Sequence, residues 1–351
     1  MRIAIDVREA CRPRPAGKGV WVRRCTEALL RSREHTFLLF TDCAVPVSWR
    51  QEHVQVRVLP RGWRWHLAAR RALLRDVPDV YLSPTSFLVP ALVGAAVPCV
   101  PVIHDLIAFL PGAHDRKAVL LERLLLSRVL RHARRVLCIS AATKDDLLTR
   151  FPRVPADAAA VVYAGPTLDD PAPNAPDRRT ILSIGTLCPR KNQLRLIRAY
   201  ALLPAELRER CRLVLVGGRG WRDEEIVRLA AATDGVEWKG YLSGKECDVL
   251  LSSCALFAFP SLYEGFGIPV LDALRRGIPV LTSGRGSLPE VAGDAALYVD
   301  PTDVRAIADG LIVLLTDAAQ RQLLQERALR QSLRYSWAKT ADSVLRTLSQ
   351  E

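Results

Sequence analysis

Short apolar segments rich in β-branched residues alternate with segments of helical periodicity along nearly the whole chain. In the first half the strand-like segments are RIAID, TFLLFT, VQVRVL, DVYLS, PCVPVI and RVLCIS. The pattern restarts with TILSIG, RLVLVGG, GVEWKGYL, CALFAFP, IPVLTS and ALYVD. Such alternation is typical of parallel sheets covered by helices. The sequence therefore predicts an α/β fold with two successive Rossmann-like domains.

A proline-rich segment separates the two series of strands. Residues 166–179 contain four prolines and no apolar periodicity, which is typical of a linker. A chain of 351 residues also has a suitable length for two domains of about 150 residues each. We therefore predict an N-terminal domain over 1–165, a linker over 166–179, a C-terminal domain over 180–335 and a last helix over 336–351.

The charge balance favours an anionic partner. The chain has 50 Lys and Arg residues against 37 Asp and Glu residues, which gives a formal net charge of +13. A nucleic acid, a phosphorylated small molecule and an anionic membrane surface would each fit. The arginines are spread along the chain, and no helix-turn-helix, RNA-recognition or zinc pattern appears, so the sequence argues against a nucleic-acid-binding protein.

The sequence carries no clear signal for a membrane span or for secretion. Its apolar runs are interrupted well before the roughly 18 residues that a spanning helix needs. It begins MRIAIDVREACR, which does not resemble a charged and then apolar leader. The nine cysteines form no CxxC motif and lie mostly in apolar stretches, so we expect reduced thiols and a cytoplasmic protein.

The most informative motif is SLYEGFGIPVLDA, residues 261–273. Its plain interpretation is a helix start after a strand, with Pro269 and Asp272 in the first turn, where the charge of Asp272 suits the helix dipole. That interpretation leaves Glu264 and the two glycines beside it unexplained. Glycines ahead of a helix let a phosphate approach backbone N–H groups, and a nearby carboxylate can accept hydrogen bonds from sugar hydroxyls.

A second motif, GTLCPRKNQLRLIRAY, covers residues 185–200 and places two cations after a strand that ends in Gly185. Arg190 and Lys191 stand before an amphipathic helix, where cations oppose the positive end of the helix dipole. The carboxyl ends of parallel strands are where open α/β folds bind ligand phosphates. We therefore interpret Arg190 and Lys191 as phosphate ligands rather than as a solvated helix start.

Three further segments carry weaker signals. His104 follows the strand PCVPVI, so it is either a ligand contact at the strand end or a satisfied core histidine. The turn PAGKGV, with Gly17, Lys18 and Gly19, either approaches a phosphate or an acceptor or simply turns the chain. In GVEWKGYLSGKE, Tyr241 either lies beside a nucleobase or belongs to a strand and turn.

Together these motifs resemble those of a known family. The chain is similar to retaining nucleotide-sugar glycosyltransferases with the E-x7-E signature (glycosyltransferase family 4, glycosyl transferases group 1), especially bacterial mannosyltransferases of polysaccharide and O-antigen assembly. The segments that carry the resemblance are VIHDL, CISAATKDDL, SIGTLCPRKN, LVLVGG, GYLS, FPSLYEGFGIPVLDALRRGIPVLTS and SLPEVAGDAALYVDP.

The resemblance implies a GT-B fold, in which two Rossmann-like domains face each other across a cleft. The N-terminal domain would bind the acceptor, the C-terminal domain the nucleotide sugar, and the last helix would cross back onto the first domain. The implied reaction is the transfer of a hexose, with retention, from a GDP- or UDP-linked donor to a glycan or lipid-linked acceptor. Mannose from GDP-mannose is the favoured donor.

The resemblance also implies roles for single residues. Glu264 would bind hydroxyls of the donor sugar, and Arg190 and Lys191 would neutralise the departing diphosphate. His104 would contact the sugar, and Asp272, which stands where the family has a second glutamate, would hold the ribose. The further implied donor-binding positions are Gly185, Tyr241 and the backbone at Phe266, Gly267 and Ile268, with a phosphate or acceptor loop at Gly17, Lys18 and Gly19.

No cofactor and no metal are expected. The sequence has no DxD-like motif in a metal-ligand context, and two cations can neutralise a leaving group as a metal ion would. The nucleotide sugar would enter as a substrate. A front-face substitution without a firmly placed protein nucleophile is implied by the resemblance.

Two groups of alternatives stay open. A nucleotide-sugar epimerase or a phosphorylase-like enzyme would share the fold, and a non-catalytic glycan-binding homologue would share the site. The stretches WRWHLAARRALLR, 63–75, and RLLLSRVLRHARR, 123–135, are either interfacial helices or core helices with a basic solvent face. The first interpretation predicts peripheral binding to the inner membrane face.

Overall fold

The computed structural model of the protein describes residues 1–13, 17–110, 116–167 and 179–350. The chain divides into two compact units, one formed by Met1–Gly165 with Ser336–Glu351 and the other by Pro166–Tyr335. Most of the predicted linker, residues 168–178, lies outside the described residues, as do Pro15 and Ala16 of the predicted turn PAGKGV.

The first unit contains a parallel seven-stranded sheet with the order β3-β2-β1-β4-β5-β6-β7. Its strands are β1 (Arg2–Asp6), β2 (Thr36–Thr41), β3 (Val54–Val58), β4 (Val80–Ser83), β5 (Cys99–Ile103), β6 (Val136–Cys138) and β7 (Ala159–Val161). Its helices are α1 (Gly17–Leu29), α2 (Arg64–Asp76), α3 (Leu88–Val93), α4 (Arg116–Val129), α5 (Ala141–Arg150) and the last helix of the chain, α14 (Trp337–Ser349).

The second unit contains a parallel six-stranded sheet with the order β10-β9-β8-β11-β12-β13. Its strands are β8 (Thr180–Ile184), β9 (Arg212–Val216), β10 (Val236–Trp238), β11 (Leu256–Phe259), β12 (Val280–Ser283) and β13 (Ala296–Val299). Its helices are α6 (Gln193–Ala201), α7 (Ala205–Arg210), α8 (Glu224–Ala232), α9 (Gly244–Ser253), α10 (Ile268–Arg275), α11 (Leu288–Ala292), α12 (Val304–Thr316) and α13 (Ala318–Ser332).

The central strands of both sheets are buried along their whole length. All residues of β4, β5, β11 and β12 are buried, which explains why these segments read as continuous apolar runs in the sequence. Every one of the predicted strand segments contains a strand of the structure. The predicted α/β class with two Rossmann-like sheets is therefore confirmed.

Two local predictions were incomplete or wrong. The strand β7 was not predicted, because its three residues carry too short a pattern. The turn predicted at Gly17, Lys18 and Gly19 is the first turn of α1. Gly19 and Trp21 are buried in the core of the unit, and this packing outweighs the low intrinsic helix propensity of glycine.

The last helix, α14, packs against α1 within the first unit. The rings of Trp21 and Trp337 meet edge to face, with centroids 6.4 Å apart. The hydroxyl of Thr340 donates to the carbonyl of Tyr163 over 2.6 Å. The apolar face of α14 thus completes the core of the unit that contains the start of the chain.

Across residues 1–13, 17–110, 116–167 and 179–350, none of the helices combines the length and the apolar character that crossing a membrane requires.

Candidate functional site

The candidate site lies where the strand order of the second sheet reverses. The adjacent strands β8 and β11 lead in opposite directions across the sheet, β8 toward β9 and β11 toward β12. Loops that leave the carboxyl ends of two such strands diverge and open a crevice in which α/β proteins bind ligands. The predicted site residues of the second unit follow these two strands.

Three charged side chains converge at this point. Arg190 Nη1 and Lys191 Nζ, from the turn after β8, each lie 2.8 Å from Oε1 of Glu264, from the loop after β11. The side chains of Glu264, Lys191 and Arg190 are 8%, 12% and 21% exposed. In the sequence Glu264 lies 73 positions after Lys191 and 74 after Arg190. The fold brings the three side chains together as one cluster with a net charge of +1.

The electrostatics of the cluster favour the ionised form of Glu264. Burial by itself would raise the pKa of Glu264, but the charges of Lys191 and Arg190 and their hydrogen bonds outweigh it and lower the pKa to about 2. Burial lowers the pKa of Lys191, and the charge of Glu264 opposes that shift. The Nζ of Lys191 also lies 4.5 Å from the centroid of the Phe259 ring, a favourable cation–π contact.

The turn that carries the two cations is fixed by Asn192. This residue is buried and left-handed (φ 63°), and its Nδ2 donates to the carbonyls of Pro260 and Pro301 over 2.9 and 2.6 Å. The backbone carbonyl of Arg190 accepts a hydrogen bond from the N–H of Leu262 over 2.9 Å. The two loops of the site are therefore bonded to each other and not only to their own strands.

The loop that carries Glu264 is held from its other side by the turn after β12. The N–H of Ser287 donates to the carbonyl of Glu264 over 3.2 Å. Its hydroxyl lies 3.0 Å from the same carbonyl and 2.8 Å from that of Phe266. Gly286 is left-handed (φ 55°), and an added Cβ there would lie 2.6 Å from the Glu264 carbonyl.

Helix α10 begins at Ile268, directly after Gly267 in the left-handed region (φ 102°). Phe266 is buried, and its ring meets that of Tyr335 edge to face at 5.5 Å. The N–H groups of the first turn of a helix have no intrahelical acceptor and carry its positive partial charge. The three predicted backbone positions 266–268 thus stand at a helix start beside the charged cluster, as an anion site requires.

Asp272 differs from its prediction in two respects. It lies in the second turn of α10, whose first turn has no acidic residue, because the helix begins at Ile268 and not earlier. Its carboxylate is also bound within the protein: Oδ1 accepts the N–H of Thr167 over 2.7 Å, and Oδ2 accepts the hydroxyl of Thr167 over 2.6 Å. The charge of Asp272 therefore anchors Thr167 rather than stabilising the first helical turn.

The other predicted positions of the second unit lie near the ends of strands. Gly185 follows β8, and its N–H donates to the carbonyl of Val216 over 2.8 Å. Tyr241 lies in the loop after β10 and is 42% exposed. Its ring is accessible to a ligand.

In the first unit, His104 stands at the carboxyl end of β5 and is buried. Its Nε2 lies 2.7 Å from the carbonyl of Pro84, so the neutral ring carries its proton on Nε2 and keeps Nδ1 as an acceptor. Burial and the charge of Lys18 lower its pKa to about 4 against the opposing effects of Pro84 and Asp105. His104 is therefore a neutral imidazole at physiological pH.

The start of α1 lies near this histidine. The ring of Trp21 meets that of His104 edge to face at 5.3 Å. Lys18 Nζ lies 3.6 Å from Oδ2 of Asp105, and the Lys18 side chain is half exposed. Gly17 is exposed and Gly19 is buried. The structure thus brings Lys18 and His104 into one neighbourhood, which the sequence did not predict.

Sequence reasoning missed Thr167, Gly286 and Ser287. Thr167 lies 105 positions from its partner Asp272, so no local pattern connects them. Gly286 and Ser287 precede a helix with proline near its start, in RGSLPE, a signal that resembles the one used for residues 265–269. By itself, this pattern predicts only a helix start and does not indicate a contact with Glu264.

Comparison with known proteins identifies the family. The model described as "Glycosyl transferases group 1" matches residues 167–331, and that described as "Glycosyltransferase Family 4" matches residues 17–170. The O-antigen chain mannosyltransferase B of Escherichia coli is 33% identical over 280 residues, covering 75% of this chain and 72% of that protein. The chain belongs to this glycosyltransferase family. The resemblance found in the sequence is thereby confirmed, and the protein is a glycosyltransferase.

A second relative matches about one half of this glycosyltransferase with a higher sequence identity. The serotype-specific mannosyltransferase WbdA of Escherichia coli is 42% identical over 166 residues, which are 46% of this chain and 20% of that protein. This chain therefore spans about a fifth of the length of WbdA.

Solved structures agree on the fold. The Anabaena protein HepE, solved in complex with UDP and glucose, aligns over 100% of both chains with a TM-score of 0.76 and 19% identity. Sucrose-phosphate synthase from Thermosynechococcus elongatus aligns over 99% of this glycosyltransferase with a TM-score of 0.78 and 18% identity. At this identity the likeness concerns the fold alone, and it supports the predicted GT-B class.

Proposed function

We propose that this glycosyltransferase moves a hexose from a nucleotide sugar to a glycan or lipid-linked acceptor in polysaccharide assembly, with GDP-mannose as the first donor to test. The observation that carries the proposal is the buried cluster of Glu264, Arg190 and Lys191 at the strand-order reversal of the second sheet. The choice of mannose rests on the names of the relatives, which are mannosyltransferases.

Arg190 and Lys191 are suited to hold the diphosphate of the donor. Breaking the bond between the sugar and the diphosphate places negative charge on the leaving group. Two preorganised cations in a partly dehydrated site stabilise that charge, by on the order of 3 kcal/mol for each donor group. The start of α10 at Gly267 and Ile268 adds backbone N–H groups for the same anion.

Glu264 is suited to bind the sugar. Because its pKa is about 2, it stays ionised and can only accept hydrogen bonds, as a ligand for hydroxyl groups must. Both cations approach Oε1, and the carboxylate has a second oxygen that can accept from a hydroxyl. The acid also keeps the net charge of the empty site low, since it compensates one of the two cations.

Further contacts of the donor follow from the predicted positions. Asp272, whose carboxylate accepts hydrogen bonds from Thr167, would hold the ribose. Tyr241 would contact the base. His104 would contact the transferred sugar, with Nδ1 as an acceptor, and residues 17–19 would approach a phosphate or the acceptor.

The proposal includes retention of the anomeric configuration and independence of metals and cofactors. Arg190 and Lys191 supply the charge that a metal ion would otherwise provide. In a front-face substitution the acceptor oxygen attacks on the side from which the diphosphate leaves, and the proton of the acceptor passes to the leaving group. The anomer of the product, read by NMR from a nucleotide sugar of known configuration, tests retention directly.

A hydrolysis panel tests the function as a whole. Nucleotide sugars are incubated with the native chain and with Glu264→Ala, with and without EDTA, and the released nucleoside diphosphate is measured. Turnover of one donor that survives EDTA and is lost in the variant is the expected result. An epimerase would convert the sugar without release of nucleotide, a phosphorylase would need inorganic phosphate, and donor binding without turnover in the presence of acceptor would indicate a glycan-binding homologue.

A peripheral location at the cytoplasmic membrane face is the last part of the proposal. The buried face of α2 comprises Trp65, Ala69, Ala72 and Leu73, while Trp63 at its start is 71% exposed. On α4, Leu120, Leu121 and Leu124 are 59%, 55% and 61% exposed. Apolar side chains beside arginines suit an anionic lipid surface. We expect the protein to float with anionic vesicles at low salt. If it does not bind them, this part of the proposal is removed.

A further inference from the structure

Hydroxyl side chains at the end of β12 and in the turn after it hold the loop that carries Glu264. They donate in sequence to backbone carbonyls that run from the last residue of β11 into the loop before α10, so that the two segments are bonded side by side. These bonds are Thr282 Oγ1 to the carbonyl of Phe259 (2.9 Å), Ser283 Oγ to that of Ser261 (2.5 Å), and Ser287 Oγ to those of Glu264 (3.0 Å) and Phe266 (2.8 Å).

Ser287 differs from the other two because it bonds to the site residue itself. Both its N–H and its hydroxyl are directed to the Glu264 carbonyl, and the hydroxyl proton is shared with the carbonyl of Phe266. The side chain of Ser287 is fully buried, so water does not compete for these bonds. Ser287 therefore fixes the peptide units that join Glu264 to Gly265 and Phe266 to Gly267.

The backbone approach at Gly286 leaves no room for the loop to shift toward β12. An added Cβ at Gly286 would lie 2.6 Å from the oxygen and 3.1 Å from the nitrogen of Glu264. The direction of the Glu264 side chain depends on the orientation of these peptide units. A rotation of the peptide would move the carboxylate away from Arg190 and Lys191, which reach it from the opposite strand loop.

We propose that Ser287 is a positioning residue that aims the Glu264 carboxylate between its two cations and toward the donor sugar. The part of this inference that concerns the sugar rests on the proposed function. The part that concerns the ion pairs does not, and it can be tested without any substrate.

Ser287→Ala is the test variant, and Ser283→Ala is its matched control. Each substitution removes one fully buried hydroxyl that donates to the same loop, but only Ser287 bonds to Glu264. With a donor that the native chain turns over, we expect kcat/KM to fall at least tenfold in Ser287→Ala and less than twofold in Ser283→Ala. Affinity for the nucleoside diphosphate alone should change less than twofold in both, since Arg190 and Lys191 remain.

The second measurement is the melting temperature as a function of pH. If Ser287 holds Glu264 between the cations, removal of the Ser287 hydroxyl weakens the ion pairs. The melting temperature of Ser287→Ala should then lie below that of the native chain, and this difference should become smaller as the pH falls from 4.5 toward 3. The stability deficit of Ser283→Ala should not depend on pH in this range, because its hydroxyl bonds to the backbone of Ser261 and not to that of the ionisable residue Glu264.

The outcomes separate the two proposals. Equal kcat/KM losses in the two variants, or equal and pH-independent stability deficits, would overturn the positioning role and leave Ser287 as an ordinary structural residue. If the native chain turned over no donor, the proposed function would fail, while the pH dependence of the deficit would still decide whether Ser287 positions Glu264.

Discussion

Replacing Glu264 with glutamine should lower the free energy of unfolding of the second unit at neutral pH. This loss should become smaller as the pH falls. The variant keeps the size of the side chain and leaves Arg190 and Lys191 without their shared partner. The ordinary pKa of a glutamate is 4.5 and that of Glu264 is about 2, a difference that corresponds to about 3 kcal/mol at 1.36 kcal/mol for each pH unit. This agrees with the roughly 3–5 kcal/mol that removal of one partner from a buried ion pair costs.

The sign of the pH dependence follows from the lowered pKa. A carboxylate whose pKa is lower in the folded state contributes its full stability above the unfolded pKa, and that contribution is lost as the pH falls toward the folded pKa. For Glu264 this range runs from 4.5 down to about 2. The difference in free energy of unfolding between the native chain and Glu264→Gln should therefore shrink from about 3 kcal/mol at pH 7 to roughly half of that at pH 3.

Scanning calorimetry between pH 7 and pH 3 measures this difference. For a unit of this size, 3 kcal/mol corresponds to a decrease of about 6–12 °C in the melting temperature at pH 7. Glu225→Gln is the control: this glutamate pairs with Arg198 on the surface, both side chains are about half exposed, and removal should cost less than about 1 kcal/mol. A Glu264→Gln deficit that stayed constant from pH 7 to pH 3 would refute the account of the cluster given above.

Three other predictions concern single contacts. Gly286→Ala places a Cβ against the Glu264 carbonyl at a left-handed position. It should lower the turnover, and it should lower the free energy of unfolding by more than about 1 kcal/mol. Gly284→Ala, where an added Cβ meets nothing within 4 Å, should be neutral in the same melting and hydrolysis assays. Thr167→Val removes the hydrogen bond from the threonine hydroxyl to the buried carboxylate of Asp272 and should cost about 1.5–3 kcal/mol in urea unfolding, with Thr167→Ser nearly native. His104, with a pKa of about 4, should add no inflection near pH 6.5 to the pH–rate profile. The stability that its neutral form contributes should decline as the pH falls from 6.5 toward 4. An NMR titration in which His104 protonates near pH 6.5 would contradict this prediction.

The core of the fold was predictable because its central strands are buried on both faces. In β11 the residues Leu256–Phe259 are all buried, and they appear in the sequence as the unbroken apolar run CALFAFP. The short strand β7 has no such run and was missed. The start of α1 was misplaced because local propensity argues against a helix at Gly17, and only the tertiary packing of the following residues decides the matter.

The candidate site was predictable to the extent that its residues carry local anomalies. Arg190 and Lys191 stand where a helix dipole disfavours cations, and Glu264 stands beside glycines that a plain helix start does not need. Thr167 and Ser287 show no such anomaly, because their hydrogen bonds satisfy ordinary backbone and carboxylate groups far away in the sequence. Charged residues of a site can be inferred from motifs, whereas the ion pairs between them and the residues that orient them become visible only with the fold.

The packing of α14 against α1 has a consequence for the order in which the protein folds during synthesis. The ribosome makes Trp21 early and Trp337 late, with the whole of Pro166–Tyr335 made between them. At roughly 5–20 residues per second, the synthesis of Pro166–Tyr335 alone lasts on the order of 10–30 s. Throughout this time the first unit exposes the apolar surface that α14 later covers, so the half of the chain that is translated first is the half whose core is closed last.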